Sequence, residues 1–356
     1  MRATGPRPGL VLASQHMDDD PAKRSAPLEH VRWGIIGCGD VTEVKSGPAF
    51  ARLPGSSLTA VMRRDAAKAC DYAERHGVPR WTGDADEVLL ADDVDAVYVA
   101  TPPSSHAEYV LRAAAAGKPV YVEKPMAASA AEAEAMVAAC ASAGVPLFVA
   151  YYRRALPRFE LVRERIASGA IGEPRLVALD LHVAAPASAD GVGWRWDPAV
   201  AGGGMVMDLG SHALDLLDHW LGPVDTVHAL QAVRLGWSSV EDQVVAVLGL
   251  SSGVQGTAMW GFNGASTRDS MTVFGSEGSV SVPLLTEGPV TLESERGARE
   301  ERAVPHPTHV QEPLIATVVD ELLGRGPACP STGASALRTQ RVLDRLVVRA
   351  DGEAAA

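Results

Sequence analysis

Cysteine is scarce in this chain: Cys38, Cys70, Cys140 and Cys329 stand far apart and form no CxxC pair. That argues against a zinc knuckle or a disulfide framework and suits a reducing, cytoplasmic setting. No uncharged apolar run reaches the ~18 residues that a membrane-spanning helix needs. The stretch Gly9–Ala13 is too short for the apolar core of a secretory leader. Positive charge is also in deficit: 32 Lys and Arg against 44 Asp and Glu leave a formal net charge of -12. With no long basic run to offset it, a nucleic-acid surface is excluded, and no membrane partner is expected. No fixed-period repeat is present, which sets aside the solenoid architectures.

What remains is an ordinary globular composition, 47% hydrophobic and 21% charged over 356 residues. That length accommodates two domains, each with its own core. Residues 1–29 are interrupted by Gly, Pro and Asp18–Asp20, and read as a disordered lead-in. Met17 is an alternative translation start.

The organising stretch is Val31–Thr42, VRWGIIGCGDVT. An apolar run of strand length, Val31–Ile36, leads into Gly37, Cys38, Gly39, Asp40, Val41 and Thr42. The spacing is G-x-G-x-x-small. In a dinucleotide-binding turn the first glycine makes the bend, the second leaves room for a pyrophosphate, and the small residue keeps helix and strand close. Leu58–Met62 reads as the second strand, ending at Arg63-Arg64-Asp65. An NAD-binding unit usually carries an acid there for the ribose hydroxyls. Arg63 instead offers a forked donor for a 2′-phosphate, so NADP is favoured, with NAD the alternative. An ordinary solvent-facing Arg pair, with Asp65 reaching the ribose, is the competing reading.

Helices are expected at Ala66–His76, Asp84–Leu90, Ala107–Ala116 and Ala128–Ala143, and strands at Val94–Ala100, Pro119–Val122 and Pro146–Ala150. This alternation is that of a parallel α/β sheet. Thr101, Pro102 and His106 then fall at the carboxyl edge where cofactors bind. For His106 a plain helix-start role competes with nicotinamide contact. Glu123-Lys124-Pro125 follows the next strand, where Lys124 is suited to stabilise an alkoxide. Taken alone, a strand-end lysine is more often a surface residue.

The cofactor domain should close near residue 150. Beyond it come Tyr152-Arg153-Arg154, a helix over Phe159–Ser168, a strand over Arg175–Ala184 and a loop over 185–192. Trp194 and Trp196 flank Arg195, as a polar substrate cleft or as indole packing between domains. In Met205–Trp220, Asp208, His212 and Asp215 are spaced to share one helix face. Asp208 is then placed to orient His212, leaving the other ring nitrogen to exchange a proton. A metal pair is the alternative, but spacing supplies no third ligand. Strands at Thr226–Val233, Gln243–Leu250, Gly253–Trp260, Ser270–Phe274 and Ser279–Val282, joined by short turns, predict a mostly antiparallel sheet. Helices return at Pro313–Leu323 and Ser331–Val348, and residues 349–356 read as a frayed tail.

Together these stretches resemble the Gfo/Idh/MocA oxidoreductase family. The most specific elements are the turn Gly37–Thr42, Glu123-Lys124-Pro125, Arg153-Arg154, Gly169–Gly172 and Gly204–His212. The resemblance implies an α/β protein with a Rossmann domain over 30–150. A substrate-binding and oligomerisation domain on an open, mostly antiparallel sheet would then span 151–348. It places the catalytic groups at Lys124, Asp208 and His212 and no metal, with Glu123 and Lys124 among the cofactor contacts. Substrate contacts would come from Lys124, Tyr152, Arg153, Arg154, Trp194, Trp196, Asp208 and His212. It also implies a cis bond at Lys124-Pro125, a geometry proline tolerates. Many relatives carry Asn where this chain has Tyr152, so no particular sugar is implied.

The expected activity is hydride transfer between nicotinamide and a sugar, polyol or cyclic diol, by a homodimer or homotetramer joined through the sheet. Two other readings compete: lyase or hydrolase chemistry with recycled cofactor, and a non-catalytic nucleotide-binding sensor.

Overall fold

The computed structural model describes residues 27–186, 188 and 193–347. Of the expected extremities, 1–29 and 349–356, residues 1–26 and 349–356 lie outside the described residues, as does most of the loop over 185–192. Leu28, expected in the disordered lead-in, instead donates its N–H to the Leu322 carbonyl at 3.0 Å and packs on the core. The first strand, β1 (Val31–Ile36), leads through the glycine turn into two short helices, α1 (Asp40–Val44) and α2 (Gly47–Arg52). They do not merge, because Pro48 has no N–H to return to the preceding turn. Gly47 is also pressed so close that a Cβ there would lie 2.2 Å from the Thr42 carbonyl oxygen.

The alternation then continues through β2 (Ser56–Met62), α3 (Ala66–His76), β3 (Arg80–Thr82), α4 (Asp86–Leu89), β4 (Ala96–Val99) and α5 (His106–Ala115). It closes with β5 (Val120–Val122), α6 (Ala130–Ala143) and β6 (Leu147–Val149). Local chemistry explains the limits of α3: the Asp65 carboxylate accepts from the Lys68 N–H at its start, and Gly77, at φ +66°, turns the chain out of it. The six strands lie in the order β3-β2-β1-β4-β5-β6, all parallel. Strand order reverses between β1 and β4, so a crevice opens beyond their carboxyl ends. The glycine turn, Thr101-Pro102 and Glu123-Lys124 leave the carboxyl ends of β1, β4 and β5.

The second half is built from α7 (Pro157–Ala167), β7 (Pro174–Ala184), α8 (Pro198–Ala201) and α9 (Ser211–Leu221). A run of strands follows: β8 (Val224–Ala232), β9 (Gln243–Leu250), β10 (Gln255–Gly264), β11 (Arg268–Gly275), β12 (Gly278–Val282), β13 (Val290–Ser294) and β14 (Arg299–Arg302). Their order is β14-β13-β12-β11-β7-β10-β9-β8. The sheet is antiparallel except where central β7 runs parallel to β10. The connection that makes this crossover carries α8 and α9.

One face of this sheet buries Val177, Leu179, Leu181, Val244, Ala246 and Trp260 against the helices. The other is open. Leu230, Val245 and Met259 are register neighbours across β8, β9 and β10, and they are 79%, 40% and 40% exposed. Val247, Leu176 and Phe274 extend the same apolar surface.

The last helices, α10 (Glu312–Leu322) and α11 (Gly333–Leu343), pack back onto the first half. Thr332 bridges to Phe148 beside β6, and the Asp344 carboxylate accepts from the Ala130 N–H at 2.8 Å. A continuous hydrophobic core thus runs from Trp33 and Phe50 through Phe159 and Trp220 to Trp260.

Candidate active site

Beyond β5 the chain passes through a cis Lys124–Pro125 bond, and its two charged side chains diverge. Glu123 turns inward. Its carboxylate accepts from the Tyr98 hydroxyl and from Gln311 Nε2, both at 2.6 Å, and from the Lys124 N–H at 3.1 Å. Its carboxylate is therefore taken up inside the protein and is not turned toward the expected cofactor edge. Lys124 reaches into the second half, where Nζ donates to the Asp208 carbonyl at 2.8 Å and to the Asp208 carboxylate.

Asp208 lies in a single π-helical turn, Val206–Gly210, that precedes α9. The second oxygen of its carboxylate accepts from Arg195 Nε at 2.8 Å, and the Arg195 guanidinium rests 4.6 Å from the centroid of the Trp194 ring. Burial pushes the Asp208 carboxyl up, but Lys124 and Arg195 outweigh it and hold it below the usual carboxylate range.

His212 sits in the first turn of α9, 3% exposed. The expected Asp208–His212 hydrogen bond is not formed. Both Asp208 oxygens are engaged by cations, and the wide turn between the residues shifts them from simple i,i+4 stacking. His212 Nδ1 is sealed from solvent without a hydrogen-bond partner. The Tyr152 ring stands edge-on to the imidazole at 5.3 Å. Burial, reinforced by the charges of Arg153, Lys124 and Lys45, depresses His212 well below the usual histidine range. It is a neutral imidazole at pH 7.

Asp215, the third member of the expected face, belongs to a separate buried network. Its carboxylate accepts from Arg154 Nε and an Arg154 terminal nitrogen at 2.8 and 2.7 Å. Arg154 also reaches Asp218 at 3.3 Å, and Arg338 on α11 grips Asp218 through two donors at 2.8 and 2.7 Å. Arg154, 3% exposed, therefore anchors α9 and does not face a substrate. Arg153 lies closer to the imidazole. It donates to the Leu284 carbonyl at 3.1 Å and to the Tyr152 hydroxyl at 2.9 Å. Trp196 packs against Trp237 with ring centroids 4.9 Å apart, while Trp194 supports Arg195.

The crevice at the end of β1 fits a dinucleotide. Gly37, at φ +91°, approaches Thr101 so closely that a Cβ would lie 2.6 Å from Thr101 Cγ2. Gly39 is the opposite case: a Cβ there would meet nothing nearer than the Gly37 carbonyl at 3.9 Å and an Arg63 terminal nitrogen at 4.0 Å. This leaves room for a phosphate beside a guanidinium. Thr42, fully buried, ties the turn by accepting from the Gly39 N–H at 2.9 Å and donating to the Gly39 carbonyl at 2.8 Å. No hydrogen bond or ion pair occupies the Arg63 or Arg64 side chain among the described residues, whereas Asp65 is engaged as the cap of α3. The Cys38 thiol is buried, which pushes it up to about 11, so this residue serves packing. Asp40 and Val41 form the first turn of α1.

His106 opens α5, which fits the helix-start reading. Fully buried, its ring lies with Nε2 2.7 Å from the Thr101 carbonyl and Nδ1 3.1 Å from that of Pro125. It lies between two crevice loops, with each ring nitrogen facing a backbone carbonyl. Sequence reasoning missed Arg195 as the second partner of Asp208 and Gln311 as the partner of Glu123. The proximity of Arg195 to the indoles was a signal for the first; nothing local marked the second. Among the described residues no cluster of three His, Cys, Asp or Glu could hold a metal, and no helix is long and apolar enough to cross a membrane.

Comparison with known proteins agrees with this architecture. Residues 31–151 match the family described as "Oxidoreductase family, NAD-binding Rossmann fold", and residues 159–281 match the "GFO/IDH/MocA C-terminal domain". An oxidoreductase from Formosa agariphila is 38% identical over 300 residues, covering 82% of this chain and 91% of its own. A 1,5-anhydro-D-fructose reductase from Ensifer adhaerens is 31% identical, covering 83% and 89%. Among solved structures, a 3-ketoreductase from Actinomadura kijaniata in complex with NADP and TDP-benzene superposes with a TM-score of 0.76. It is 26% identical and covers 89% of this chain and 97% of its own. The chain belongs to the Gfo/Idh/MocA family of NAD(P)-dependent oxidoreductases.

Proposed function

We propose that this protein is an NADP-preferring dehydrogenase or reductase that interconverts a secondary alcohol and a ketone on a sugar, polyol or cyclic diol. One observation carries the reading: a neutral, buried imidazole with a sealed, partnerless nitrogen lies in the same site as a lysine held by a carboxylate from the other half.

Bound nicotinamide supplies the carbon that takes or gives the hydride. In the oxidative direction His212 accepts the hydroxyl proton, for which its neutral form is required. Lys124 donates to the same oxygen as negative charge develops on it. Asp208 holds Lys124 at that point and does not fix the His212 tautomer. Arg153 and Tyr152 border the imidazole as substrate contacts. Correct placement of these groups is worth ~7–11 kcal/mol of the barrier.

Arg63 supports the NADP preference, being unpaired beside the open Gly39 position. The sugar class is supported by the anhydrofructose reductase and the 3-ketoreductase above. The apolar sheet face supports a homodimer or dimer of dimers, because an open sheet face rich in Leu, Val and Met favours burial. Three buried free cysteines, Cys38, Cys140 and Cys329, support a cytoplasmic setting.

The test is a cofactor-coupled screen of sugars, inositols and cyclic diols in both directions. NADPH formed in step with substrate consumed is expected. Turnover without net NADPH indicates lyase or hydrolase chemistry, and tight NADP binding without turnover indicates a sensor.

A further inference from the structure

Cations crowd this site although the protein as a whole is acidic, with a net charge of -12. Lys45, Lys124 and Arg153 all act on His212, and Lys124 and Arg195 both act on Asp208. The nearby Glu123 carboxylate is turned inward and consumed by Tyr98 and Gln311. Asp208, bridged by two cations, leaves the site a surplus of positive charge.

Arg195 differs from the others. Its side chain is 48% exposed, and only Nε is engaged, on Asp208. Its two terminal nitrogens have no partner among the described residues, and the ring of Trp194 beneath holds the guanidinium plane. A guanidinium fixed through Nε and stacked on an indole presents its outer N–H edge as a rigid pair of donors, matched to the two oxygens of a carboxylate.

We propose that the substrate carries a carboxylate, held by the terminal nitrogens of Arg195 beside the Lys124–Asp208 pair. This rests on the oxidoreductase reading and narrows it to hydroxylated acids such as aldonates and glycosiduronates. The local positive field also draws such anions toward a molecule that otherwise repels them. A phosphate ester is the competing anion, but a single planar fork favours the planar group.

The test is calorimetric titration of the NADPH-loaded protein, a state in which an alcohol does not react. D-Gluconate is compared with D-sorbitol, methyl α-D-glucuronide with methyl α-D-glucoside, and glucose 6-phosphate serves as the third arm. Each acid should bind about ten- to a hundredfold more tightly than its neutral partner, the usual worth of a charge-assisted contact. R195Q should abolish that advantage and R195K retain part of it, with thermal melts confirming that both fold. Added salt should weaken the acids alone. Equal affinities within a pair, no binding of either member, an advantage kept in R195Q, or tighter binding of the phosphate would each overturn the proposal. Acid binding without turnover would keep the anchor and remove the redox reading; turnover of neutral compounds with no acid preference would do the reverse.

Discussion

The Lys124 ammonium and the Asp208 carboxylate meet across the boundary between the two halves, 84 residues apart in sequence. Lys124 ends a strand of the parallel sheet, and Asp208 occupies the π turn ahead of α9. Their side chains are only 12% and 13% exposed. The contact holds Lys124 in place and joins the two halves at the same point. Replacing Asp208 by Asn should therefore slow turnover through Lys124, and it should shift the pH dependence differently from a loss of His212. Matched pH–rate profiles of the Asp208→Asn and His212→Gln proteins would check this; identical profiles would mean that Asp208 acts through the imidazole.

Cofactor selection should depend on Arg63. Converting it to Ala removes a charge-assisted contact worth roughly 1.5–3 kcal/mol. NADP affinity should fall about ten- to a hundredfold while NAD affinity changes little. Fluorescence titration with both nucleotides reads the ratio. An unchanged ratio would make Arg63 an ordinary surface residue.

The Arg154–Asp215–Asp218 network should behave as a stability element. Arg154→Ala leaves two carboxylates buried against one remaining arginine. Breaking a buried pair from one side costs about 3–5 kcal/mol, so denaturant unfolding should show a loss of that order. A change below about 1 kcal/mol would mean that the network relaxes or takes up water.

Burial depresses His212, so the folded protein binds fewer protons than the unfolded chain below the ordinary histidine value of 6.5. Stability should therefore fall as pH drops from 6.5 toward the depressed value, and the loss should be smaller in His212→Gln. For the same reason, His212 should impose no acidic limb on oxidative turnover near pH 6.5; that limb should lie well below it. Urea titrations at pH 7 and pH 5 test the first statement and a pH–rate profile the second.

The exposed sheet face should be an interface. Val247→Asp places a charge at its centre, in register between Thr257 and His228. Light scattering should report at least twice 37.3 kDa for the parent chain and a shift toward monomer for the variant. A 37.3 kDa species alone at micromolar concentration would contradict the proposed assembly.

Much of the fold was legible because its signals are local. β1 and α3 fall at the limits expected of them: one is an uninterrupted apolar run, the other is bounded by Asp65 and Gly77. β3, β13 and β14 went unread, being short, and Arg299–Arg302 is charged throughout, giving no alternation to detect. In the proposed site, Lys124 and His212 stood out as candidates by position, but the partners of their side chains did not. The i,i+4 spacing of Asp208 and His212 assumed a regular α-helix, and a single π turn cancels it. His106 and Glu123 stand at the cofactor edge in sequence, yet their side chains turn inward, because the groups that satisfy them come from the Pro125 carbonyl, Tyr98 and Gln311. Such tertiary partners leave no trace in local spacing.

The central claim is that Lys124 and His212 act on one substrate hydroxyl from opposite halves of the protein. The most direct test is steady-state turnover of the Lys124→Ala protein, on a substrate found in the screen, paired with direct NADP titration of the same sample. Turnover should fall by about 10²–10⁴-fold, the range for a positioned proton-transfer group, while NADP affinity stays close to that of the parent chain. Turnover equal to that of the parent chain would remove Lys124 from the mechanism and contradict the assignment of this site.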